Sequence, residues 1–473
     1  MTDITERPTG LRSPHTPARR WRRGLMGGAL VGLCLAAAPP APQPQLPISV
    51  EEYRARRDRL MTALDGGITL LHAQPTEKAM EQWGFVQDPS FLYFTGLSDL
   101  TGAILALDAP AEEVRLFLPP APESFGFAVE GLVPSPGQAT AEELAVTSAE
   151  SWDGFASWLD GRLEGGVTTL YVDEPRRPEA AGVPPGMAAT AGPRQLWRAS
   201  LEGRFPTARF ESAKEAIHAL RWVKSHAEID ALRANAEATV HALREAARQM
   251  SPGMRQREGE SRVVSACIEA GAQGPSFWPW LMSGPNARVG RLVQAFFRYD
   301  QLDRIMNAGE LVRVDIGCAG DLYGADVGRT LPVSGAFSEG QREAWDLLIE
   351  GYLAGIQVMA DGVTVDSVRA ASVDAIRVAT PGLTTPMGRS ASEAILSGGS
   401  GVWHIHGVGI ESGEDAAPVL RAGAVVAYEP GFELGPDAFY LEDMIVITDD
   451  GAEILSVGLP HDASGIEAMM AQR

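Results

Sequence analysis

Apolar residues between positions 50 and 172 follow two kinds of spacing, one helical and one extended. Tyr53, Leu60 and Leu64 recur near helical spacing, which predicts a helix over 50–70. Strands are predicted at Gly67–His72, Ala103–Leu107, Val114–Leu118 and Thr168–Val172, with helical stretches around Ala141–Leu163. Helices and strands that alternate in this way are typical of a small α/β domain.

A second pattern begins near Glu211. Its predicted elements are, in chain order, a long helix over Ala213–Met250, a helix from Ser338 to just before Gly362, a helix from Thr364 to near Thr380, and mostly strand over Val425–Leu455. The hydroxyl of Ser338 is predicted to cap its helix while Gln341 reaches back to the same turn. Pro175–Pro193 is rich in Pro and Gly, which predicts an irregular surface excursion. The chain is therefore predicted to contain a small α/β domain over 49–210 and a mixed α/β domain over 211–473.

The first 48 residues differ from the rest of the chain. Four arginines (Arg19, Arg20, Arg22 and Arg23) precede the apolar run Gly24–Ala38, and a Pro-rich linker follows over 39–48. A basic region before a short apolar core predicts an export signal over 1–38, loosely similar to a twin-arginine signal, and hence a periplasmic or secreted protein. The run is short for a bilayer span, so no stable membrane insertion is expected after signal removal. An anchor that is never cleaved is the alternative interpretation.

Composition and charge limit the classes of function. With 473 residues, 45% of them hydrophobic, the chain can bury a large core, as disordered proteins cannot. A formal net charge of −21 argues against nucleic acid as a partner, because a phosphate backbone attracts clusters of Lys and Arg. Outside the predicted signal, Cys267 and Cys318 are too far apart to form a metal or redox motif. Both are predicted to be small buried hydrophobic residues.

Two carboxylates fall on neighbouring predicted strands. In Leu311–Gly317 the apolar residues alternate, which places Arg313 and Asp315 on the opposite face of a strand. A second predicted strand carries Asp326, eleven positions later, between two glycines. Two carboxylates on paired strands can converge on one cation, although carboxylates on exposed strand faces are also common without one.

Three more candidate ligands follow in the last third of the chain. His406 lies in a Trp-His-Ile-His-Gly-Val-Gly segment, Glu429 is predicted to end an apolar strand just before a Pro-Gly turn, and Glu442 is predicted on a strand. Each fragment alone also has a purely structural interpretation, the glutamates as strand ends and the histidine as a satisfied core residue. Together with the two aspartates they form the order Asp, Asp, His, Glu, Glu, which strengthens the case for a metal site.

This order, with its flanking residues, resembles the metallopeptidase family that contains methionine aminopeptidase, aminopeptidase P and prolidase. The matching stretches of the second domain are Lys224-Ser225 with Glu228-Ile229, Ser283–Ala287, Val314–Gly317, Asp326 with Arg329-Thr330, His406–Gly409, Glu429–Gly431 and Leu441–Asp443. In the first domain, Gln87–Gly96 (Gln-Asp-Pro-Ser-Phe-Leu-Tyr-Phe-Thr-Gly) is similar to the N-terminal domain of aminopeptidase P and prolidase. The resemblance covers most of the chain from Tyr53 to Leu455.

The resemblance implies a small α/β domain followed by a pita-bread (creatinase/aminopeptidase-like) catalytic domain. The family's metal ligands fall on Asp315, Asp326, His406, Glu429 and Glu442, and they imply two divalent ions. The oxygen-rich set favours Mn²⁺, with Zn²⁺ or Co²⁺ as alternatives. The implied reaction removes the N-terminal residue from a short peptide, with Xaa-Pro peptides as the expected class, through a metal-bridging water and Glu429 as general base. A homodimer or homotetramer is also implied.

The chain departs from the family where helper histidines are expected. These positions hold Arg291 and Gly413, and Tyr440 replaces an arginine common two positions before the last glutamate. Arg291 and His404 are predicted as replacement catalytic residues, with His404 equally consistent with a solvated or packing role. Glu411 and Glu414 are expected to be solvated charges or packing residues rather than contacts to a substrate amine. The segment Phe277–Trp280 is expected to form a pocket wall or ordinary core. The departures leave two further hypotheses open, a related hydrolase acting on a non-prolyl or non-peptide substrate and a metal-binding relative without enzymatic activity.

Overall fold

The computed structural model describes residues 48–64, 66–74, 87–121, 123–124, 127–128, 133–174 and 191–472. The predicted export signal over 1–38, almost all of the linker over 39–48 and most of Pro175–Pro193 lie outside the described residues. Within the described ranges, the structure has no helix that is both long enough and apolar enough to cross a membrane.

The first domain is a six-stranded sheet with helices on both faces. Its helices are α1 (Val50–Ala63), α2 (Pro89–Thr95), α3 (Gln138–Glu143), α4 (Phe155–Glu164) and α5 (Pro193–Arg204). Its strands are β1 (Ile68–His72), β2 (Ile104–Asp108), β3 (Glu113–Leu118), β4 (Glu123–Ser124), β5 (Phe127–Ala128), β6 (Ser148–Ser151), β7 (Thr169–Val172) and β8 (Arg209–Ser212). The sheet order is β6-β3-β2-β1-β7-β8, while β4 and β5 form a separate hairpin.

Alternation along β2 explains why this sheet has helices on both faces. Leu105 and Leu107 pack into one apolar cluster, whereas Ile104 and Ala106 pack into another. Because successive side chains of a strand point to opposite faces, both faces of β2 are buried. The predicted small α/β domain is confirmed, but the predicted helical stretch over 141–163 is interrupted by β6 between α3 and α4. The predicted domain boundary at residue 210 falls within β8, which still pairs with β7.

The second domain contains eight of the described helices and three small sheets. The helices are α6 (Lys214–Trp222), α7 (His226–Gln249), α8 (Gln256–Glu269), α9 (Val289–Arg298), α10 (Glu339–Val358), α11 (Val365–Ala379), α12 (Pro386–Gly398) and α13 (Ala463–Met470). The strands are β9 (Gly274–Pro275), β10 (Trp280–Ser283), β11 (Leu311–Ile316), β12 (Cys318–Gly320), β13 (Tyr323–Gly324), β14 (Val327–Pro332), β15 (Trp403–Gly407), β16 (Val425–Leu434), β17 (Asp437–Tyr440), β18 (Asp443–Ile447) and β19 (Ala452–Ile454).

The predicted helices of the second domain can be compared with the observed ones at their capping residues. The helices predicted after Ser338 and Thr364 are confirmed as α10 and α11, and Ser338 and Gln341 form the predicted reciprocal cap. The single helix predicted over 213–250 is wrong, because it is two helices, α6 and α7. Ser225 caps α7 together with Glu228, and the extended residue Val223 pairs with the chain near β16, which breaks the helix.

Three strand pairings bring distant parts of the second domain together. The sheet β10-β11-β14 places Asp315 opposite Gly328. The sheet β15-β16-β18-β19, with β17 also paired to β16, places His404 opposite Glu429. An isolated bridge between Gly328 and Glu442 joins the two sheets. These pairings bring the candidate metal ligands to one place.

The two cysteines of the second domain form a disulfide. The pairing of β9 with β12 brings the end of α8 next to β12, and there Cys267 and Cys318 lie 5.5 Å apart between their Cα atoms and are bonded. The prediction that both are small buried hydrophobic residues is therefore wrong in its chemistry, although both are buried. A separation of 51 residues gave no local pattern from which the bond could be predicted.

Candidate metal centre

The five predicted ligands come from two sheets and meet in one cavity. Asp315 lies on β11 and Asp326 lies directly before β14, so Asp326 is not on a strand as predicted. His406 lies on β15. Glu429 lies in the middle of β16, which continues through the Pro-Gly pair that was predicted to form a turn, and Glu442 lies between β17 and β18 rather than on a strand. All five line the same cavity of about 1050 Å³.

His406 is at the centre of the cluster. Its Nε2 atom lies 3.4 Å from Glu429 Oε1, 3.5 Å from Glu442 Oε1 and 3.8 Å from Asp326 Oδ2. Asp326, His406 and Glu442 each offer one ligand atom, and these three atoms lie within 4.8 Å of one another. Such a spacing allows one cation to contact all three residues.

The backbone fixes which nitrogen of His406 faces the carboxylates. Its Nδ1 atom lies 2.9 Å from the carbonyl oxygen of Gly407 and donates to it. Nε2 is then the nitrogen directed at the three carboxylates. A histidine that binds a metal ion usually has its second nitrogen held in this way, because the outer hydrogen bond orients the ring.

The buried carboxylates need a cation to balance them. Asp326 Oδ1 and Glu442 Oε1 are both buried and, among the described residues, meet no hydrogen-bond partner. Burial raises the pKa of Asp315 to about 7, with Glu442 and Glu429 adding to the rise against the opposing Arg313. Burial also raises the pKa of Asp326, with Glu442 and Asp315 adding to the rise. Unpaired buried oxygens and mutual repulsion of this kind are relieved when a divalent ion binds, so the donor set fits such an ion.

Protons partly balance this charge when no cation is bound. Burial lowers the pKa of the His406 imidazole, but contacts with Glu429, Glu442 and Asp326 outweigh burial, so its pKa is raised well above the ordinary value. A protonated His406 therefore offsets part of the negative charge in the metal-free protein. A metal ion would have to displace that proton.

His404 is bonded directly to Glu429. The two residues are opposite each other in the β15–β16 pairing, and His404 Nδ1 lies 2.5 Å from Glu429 Oε1. Burial raises the pKa of Glu429, but His404 and His406 outweigh it and hold the pKa below the ordinary carboxyl value. The His404 side chain is 57% exposed, so it connects the buried glutamate with the open part of the cavity.

Two residues that the sequence did not predict as functional complete the centre. Arg313 Nη2 donates to Asp315 Oδ2 at 3.0 Å, and its guanidinium carbon lies 3.7 Å from the centre of the Tyr440 ring. The hydroxyl of Tyr440 donates to Glu429 Oε2 at 3.1 Å and makes a short contact with Glu442 Oε2. The alternation in Leu311–Gly317 had placed Arg313 on the same strand face as Asp315, and Tyr440 had been noted only because it occupies the position of a family arginine.

A buried aspartate, Asp443, holds the segment that carries Glu442 in place. Asp443 is fully buried and accepts hydrogen bonds from Arg329, Tyr352, Ser456 and His461. Burial raises the pKa of Asp443, but Arg329 and His461 outweigh it and hold the pKa at about 2. The ionised Asp443 and its four partners thus fix the first residue of β18, which directly follows Glu442.

The other predicted site residues have different positions. Arg291 lies on the exposed face of α9, hydrogen-bonds Gln294, and is not among the side chains that line the cavity. Gly413 lines the cavity but offers no side chain. Phe277, Trp278 and Trp280 also line the cavity, so the interpretation of this segment as a pocket wall agrees with its position. Of the two alternatives expected for Glu414, a solvated charge or a packing residue, the structure agrees with the second, because Glu414 is buried between Arg221 and Lys224.

Comparison with protein-family models finds two matches along the chain. Residues 230–449 match the model of metallopeptidase family M24, and residues 53–171 match the model of the aminopeptidase P N-terminal domain. The chain is 26% identical to the Xaa-Pro aminopeptidase of Haemophilus influenzae, over 89% of this chain and 97% of that protein. It is 25% identical to the Xaa-Pro aminopeptidase of Escherichia coli, over 89% and 98% respectively.

Solved structures show the same fold. Pseudomonas aeruginosa aminopeptidase PepP superposes with a TM-score of 0.72 at 22% identity, covering 90% of this chain and 99% of that one. Escherichia coli aminopeptidase P in complex with the inhibitor Pro-Leu gives a TM-score of 0.70 at 23% identity, covering 89% and 98%. The two-domain architecture implied by the resemblance, with a pita-bread second domain, is therefore confirmed. The second domain therefore matches metallopeptidase family M24, the first matches the N-terminal domain of aminopeptidase P, and the chain is a metallo-exopeptidase.

Proposed function

We propose that the chain removes the N-terminal residue from short peptides, with Xaa-Pro peptides as the first class to test, and that two divalent ions serve the reaction. The proposed ligands are Asp315, Asp326, His406, Glu429 and Glu442. The observation that carries the proposal is their convergence on one cavity, where Asp326 and Glu442 each keep a buried oxygen without a hydrogen-bond partner among the described residues. Relatives named Xaa-Pro aminopeptidase, matched over nearly their whole length, support the substrate class.

The chemistry of the donor set favours Mn²⁺. Four carboxylates and one imidazole are hard or borderline ligands, and oxygen-rich sets of this kind suit Mn²⁺, with Zn²⁺ and Co²⁺ as weaker candidates. Bound ions would activate a water molecule as nucleophile and polarise the scissile carbonyl. Nε2 of His406, once a metal ion displaces its proton, and the oxygens of Asp326 and Glu442 that lack a hydrogen-bond partner among the described residues are the atoms best prepared to hold an ion.

Glu429 is the proposed general base. Its carboxylate lies within the ligand cluster and is kept ionised by His404 and His406, so it can accept a proton from the attacking water. His404 donates from Nδ1 to Oε1 of this carboxylate, which orients the base. The His404 side chain is largely exposed and lines the cavity, so it is also placed beside a bound peptide. The catalytic role of Arg291 stays a prediction. Its exposed position on α9, outside the cavity lining, does not support that role.

A specific observation also favours a second candidate, a relative that hydrolyses non-prolyl or non-peptide amides. Of the two expected helper-histidine positions, Gly413 has no side chain and Arg291 lies outside the cavity lining. The aromatic wall formed by Phe277, Trp278 and Trp280 could hold a larger apolar group than the ring of proline. Under this alternative the metal ligands and the base are unchanged, and only the accepted substrate differs.

We further propose export and self-association. The disulfide between Cys267 and Cys318 supports an oxidising compartment, which agrees with the export signal predicted over 1–38. Self-association as a homodimer or homotetramer is supported by the family resemblance. Cell fractionation tests the first proposal, and light scattering of the purified protein tests the second.

A mixed peptide library with added Mn²⁺ tests the activity. Mass spectrometry should find loss of a single N-terminal residue, with the largest yield from Xaa-Pro peptides. Glu429→Gln should lower the rate by about 10²–10⁴-fold, the usual contribution of a general base. Glu453→Gln is the matched control, since Glu453 pairs with Arg233 on the surface away from the cavity. Cleavage inside the peptides, or an unchanged rate in Glu429→Gln, would contradict the proposal; efficient cleavage of only non-prolyl peptides would select the second candidate.

A further inference from the structure

Tyr440 is held rigidly beside the metal-facing carboxylates. It is the last residue of β17 and is buried. Its backbone N–H donates to Thr330 Oγ1 at 2.8 Å, and its carbonyl oxygen accepts from the same hydroxyl at 3.1 Å. A single side chain on β14 thus fixes both backbone groups of Tyr440, so the direction of its phenol ring is set by the fold.

The hydroxyl of Tyr440 contacts one oxygen on each of two glutamates. It meets Oε2 of Glu429 and Oε2 of Glu442. The other oxygen of each carboxylate, Oε1, faces His406 Nε2 at 3.4 Å and 3.5 Å respectively. Tyr440 therefore contacts the Oε2 atoms of both carboxylates, while both Oε1 atoms face His406 and the proposed ion site, and Oε1 of Glu429 also meets His404.

Arg313 covers the ring of Tyr440 and reaches a third carboxylate. Its guanidinium group lies over the ring at 3.7 Å, and its Nη2 atom donates to Asp315 Oδ2. Arginine combines a planar face for stacking with fixed N–H directions, so it can hold an aromatic ring and a carboxylate together. The buried arginine thus links Tyr440 to Asp315.

A glycine in the neighbouring strand leaves room for this arrangement. A Cβ atom added at Gly328 would lie 2.2 Å from Cε1 of the Tyr440 ring and 3.0 Å from the carbonyl oxygen of Val314. Gly328 is opposite Asp315 in the sheet and bridges to Glu442. Any larger residue at this position would displace the ring, so the space for Tyr440 is part of the strand pairing itself.

We propose that Tyr440 and Arg313 act as a positioning pair that presents Asp315, Glu429 and Glu442 to the metal ions. This inference rests on the proposed function, because it assumes that these carboxylates bind metal. Neither residue of the pair is a metal ligand. The pair fixes which oxygen of each glutamate is available, and it does so before any ion arrives.

Calorimetric titration of Mn²⁺ into chelator-treated full-length protein tests the pair. Tyr440→Phe removes only the hydroxyl and keeps the ring under Arg313. Its Mn²⁺ affinity should fall by about 10–100-fold, the usual effect of removing an outer hydrogen bond to metal ligands. Tyr428→Phe is the matched control, because Tyr428 is also buried on a strand of this sheet but bonds Ser372 and does not line the cavity. Its Mn²⁺ affinity should equal that of the unaltered protein.

A second variant separates positioning from charge. Arg313→Lys keeps the positive charge beside the ions. It loses the planar guanidinium group that stacks on the Tyr440 ring and the fixed N–H direction towards Asp315. The positioning role predicts weaker Mn²⁺ binding in this variant as well, whereas a purely electrostatic role predicts no change. If circular dichroism shows that the Tyr440→Phe variant does not fold, the Arg313→Lys variant serves as the test in its place.

The outcomes distinguish this inference from the proposed function. If the unaltered protein binds no Mn²⁺, the proposed function fails and the pair has no metal site to serve. If it binds Mn²⁺ and Tyr440→Phe or Arg313→Lys binds it with the same affinity, the positioning pair is overturned while the proposed function stands.

Discussion

Glu414 fastens the loop that follows the His406 strand, and Glu414→Gln should destabilise the protein strongly. Glu414 Oε1 accepts from Arg221 Nη2 at 2.5 Å, and Oε2 accepts from Lys224 Nζ at 3.0 Å. Its backbone also pairs in both directions with Gly407, one residue after His406. The glutamate is 7% exposed, so its charge is held by these two cations and not by water.

The pKa of Glu414 gives the size of the effect. Burial raises it, but Arg221 and Lys224 outweigh burial and lower it from 4.5 to about 2. At about 1.4 kcal/mol per pKa unit, this shift corresponds to about 3 kcal/mol of folding free energy at pH 7. Because the folded pKa is the depressed one, the contribution is complete above the unfolded pKa and is lost as the pH falls towards about 2. Linkage leaves about 2 kcal/mol of it at pH 3.5.

Urea unfolding of the chelator-treated protein at both pH values tests this reasoning. Glu414→Gln should lower the free energy of unfolding by about 3 kcal/mol at pH 7 and by less at pH 3.5, in line with the cost of breaking a buried ion pair. Glu411→Gln is the matched control, since Glu411 bonds the same Arg221 but its side chain is 39% exposed, so its loss should cost under about 1 kcal/mol. Equal losses in the two variants, or a loss in Glu414→Gln that does not shrink at low pH, would refute the assignment.

Two further predictions concern the disulfide and the protons of the metal centre. Reducing the Cys267–Cys318 bond, or replacing both cysteines with alanine, should lower the free energy of unfolding by up to about 4 kcal/mol, because the bond closes a long loop. Denaturation with and without reductant measures this change. An unchanged denaturation midpoint would contradict the prediction. Mn²⁺ binding should release protons at neutral pH and tighten as the pH rises through about 7, because the pKa values of Asp315, Asp326 and His406 are all raised in the metal-free protein. Titration in buffers of different ionisation enthalpy measures the release, and a heat independent of the buffer would argue against it.

Much of the fold could be predicted because local chemistry specifies it. Ser338 and Gln341 define the start of α10 without help from the rest of the chain, and short apolar runs mark β2 and β3. The break between α6 and α7 also had a local marker, the cap formed by Ser225 and Glu228, but the helical spacing on either side obscured it. Strand limits near Asp326, Glu429 and Glu442 were less predictable, since they depend on pairing between separate sheets.

The candidate site also has parts that could be predicted from local sequence and parts that could not. Its ligands could be proposed from their order and flanks, because each motif is short and local in sequence. The contact of Tyr440 with Glu429 and Glu442, and the stacking of Arg313 on Tyr440, arise where β11, β16 and β17 approach one another. The bond between Cys267 and Cys318 likewise depends on the pairing of β9 with β12. Spacing along the chain does not contain such cross-strand contacts, so they could be recognised only from the structure.

The metal content of the reconstituted protein tests the central claim most directly. Chelator-treated protein, reloaded with Mn²⁺ and passed through a desalting column, should carry two ions per chain by elemental analysis, and Asp326→Ala should carry fewer. Uptake of no ion by the unaltered chain, or full uptake by Asp326→Ala, would contradict the assignment of these carboxylates as metal ligands.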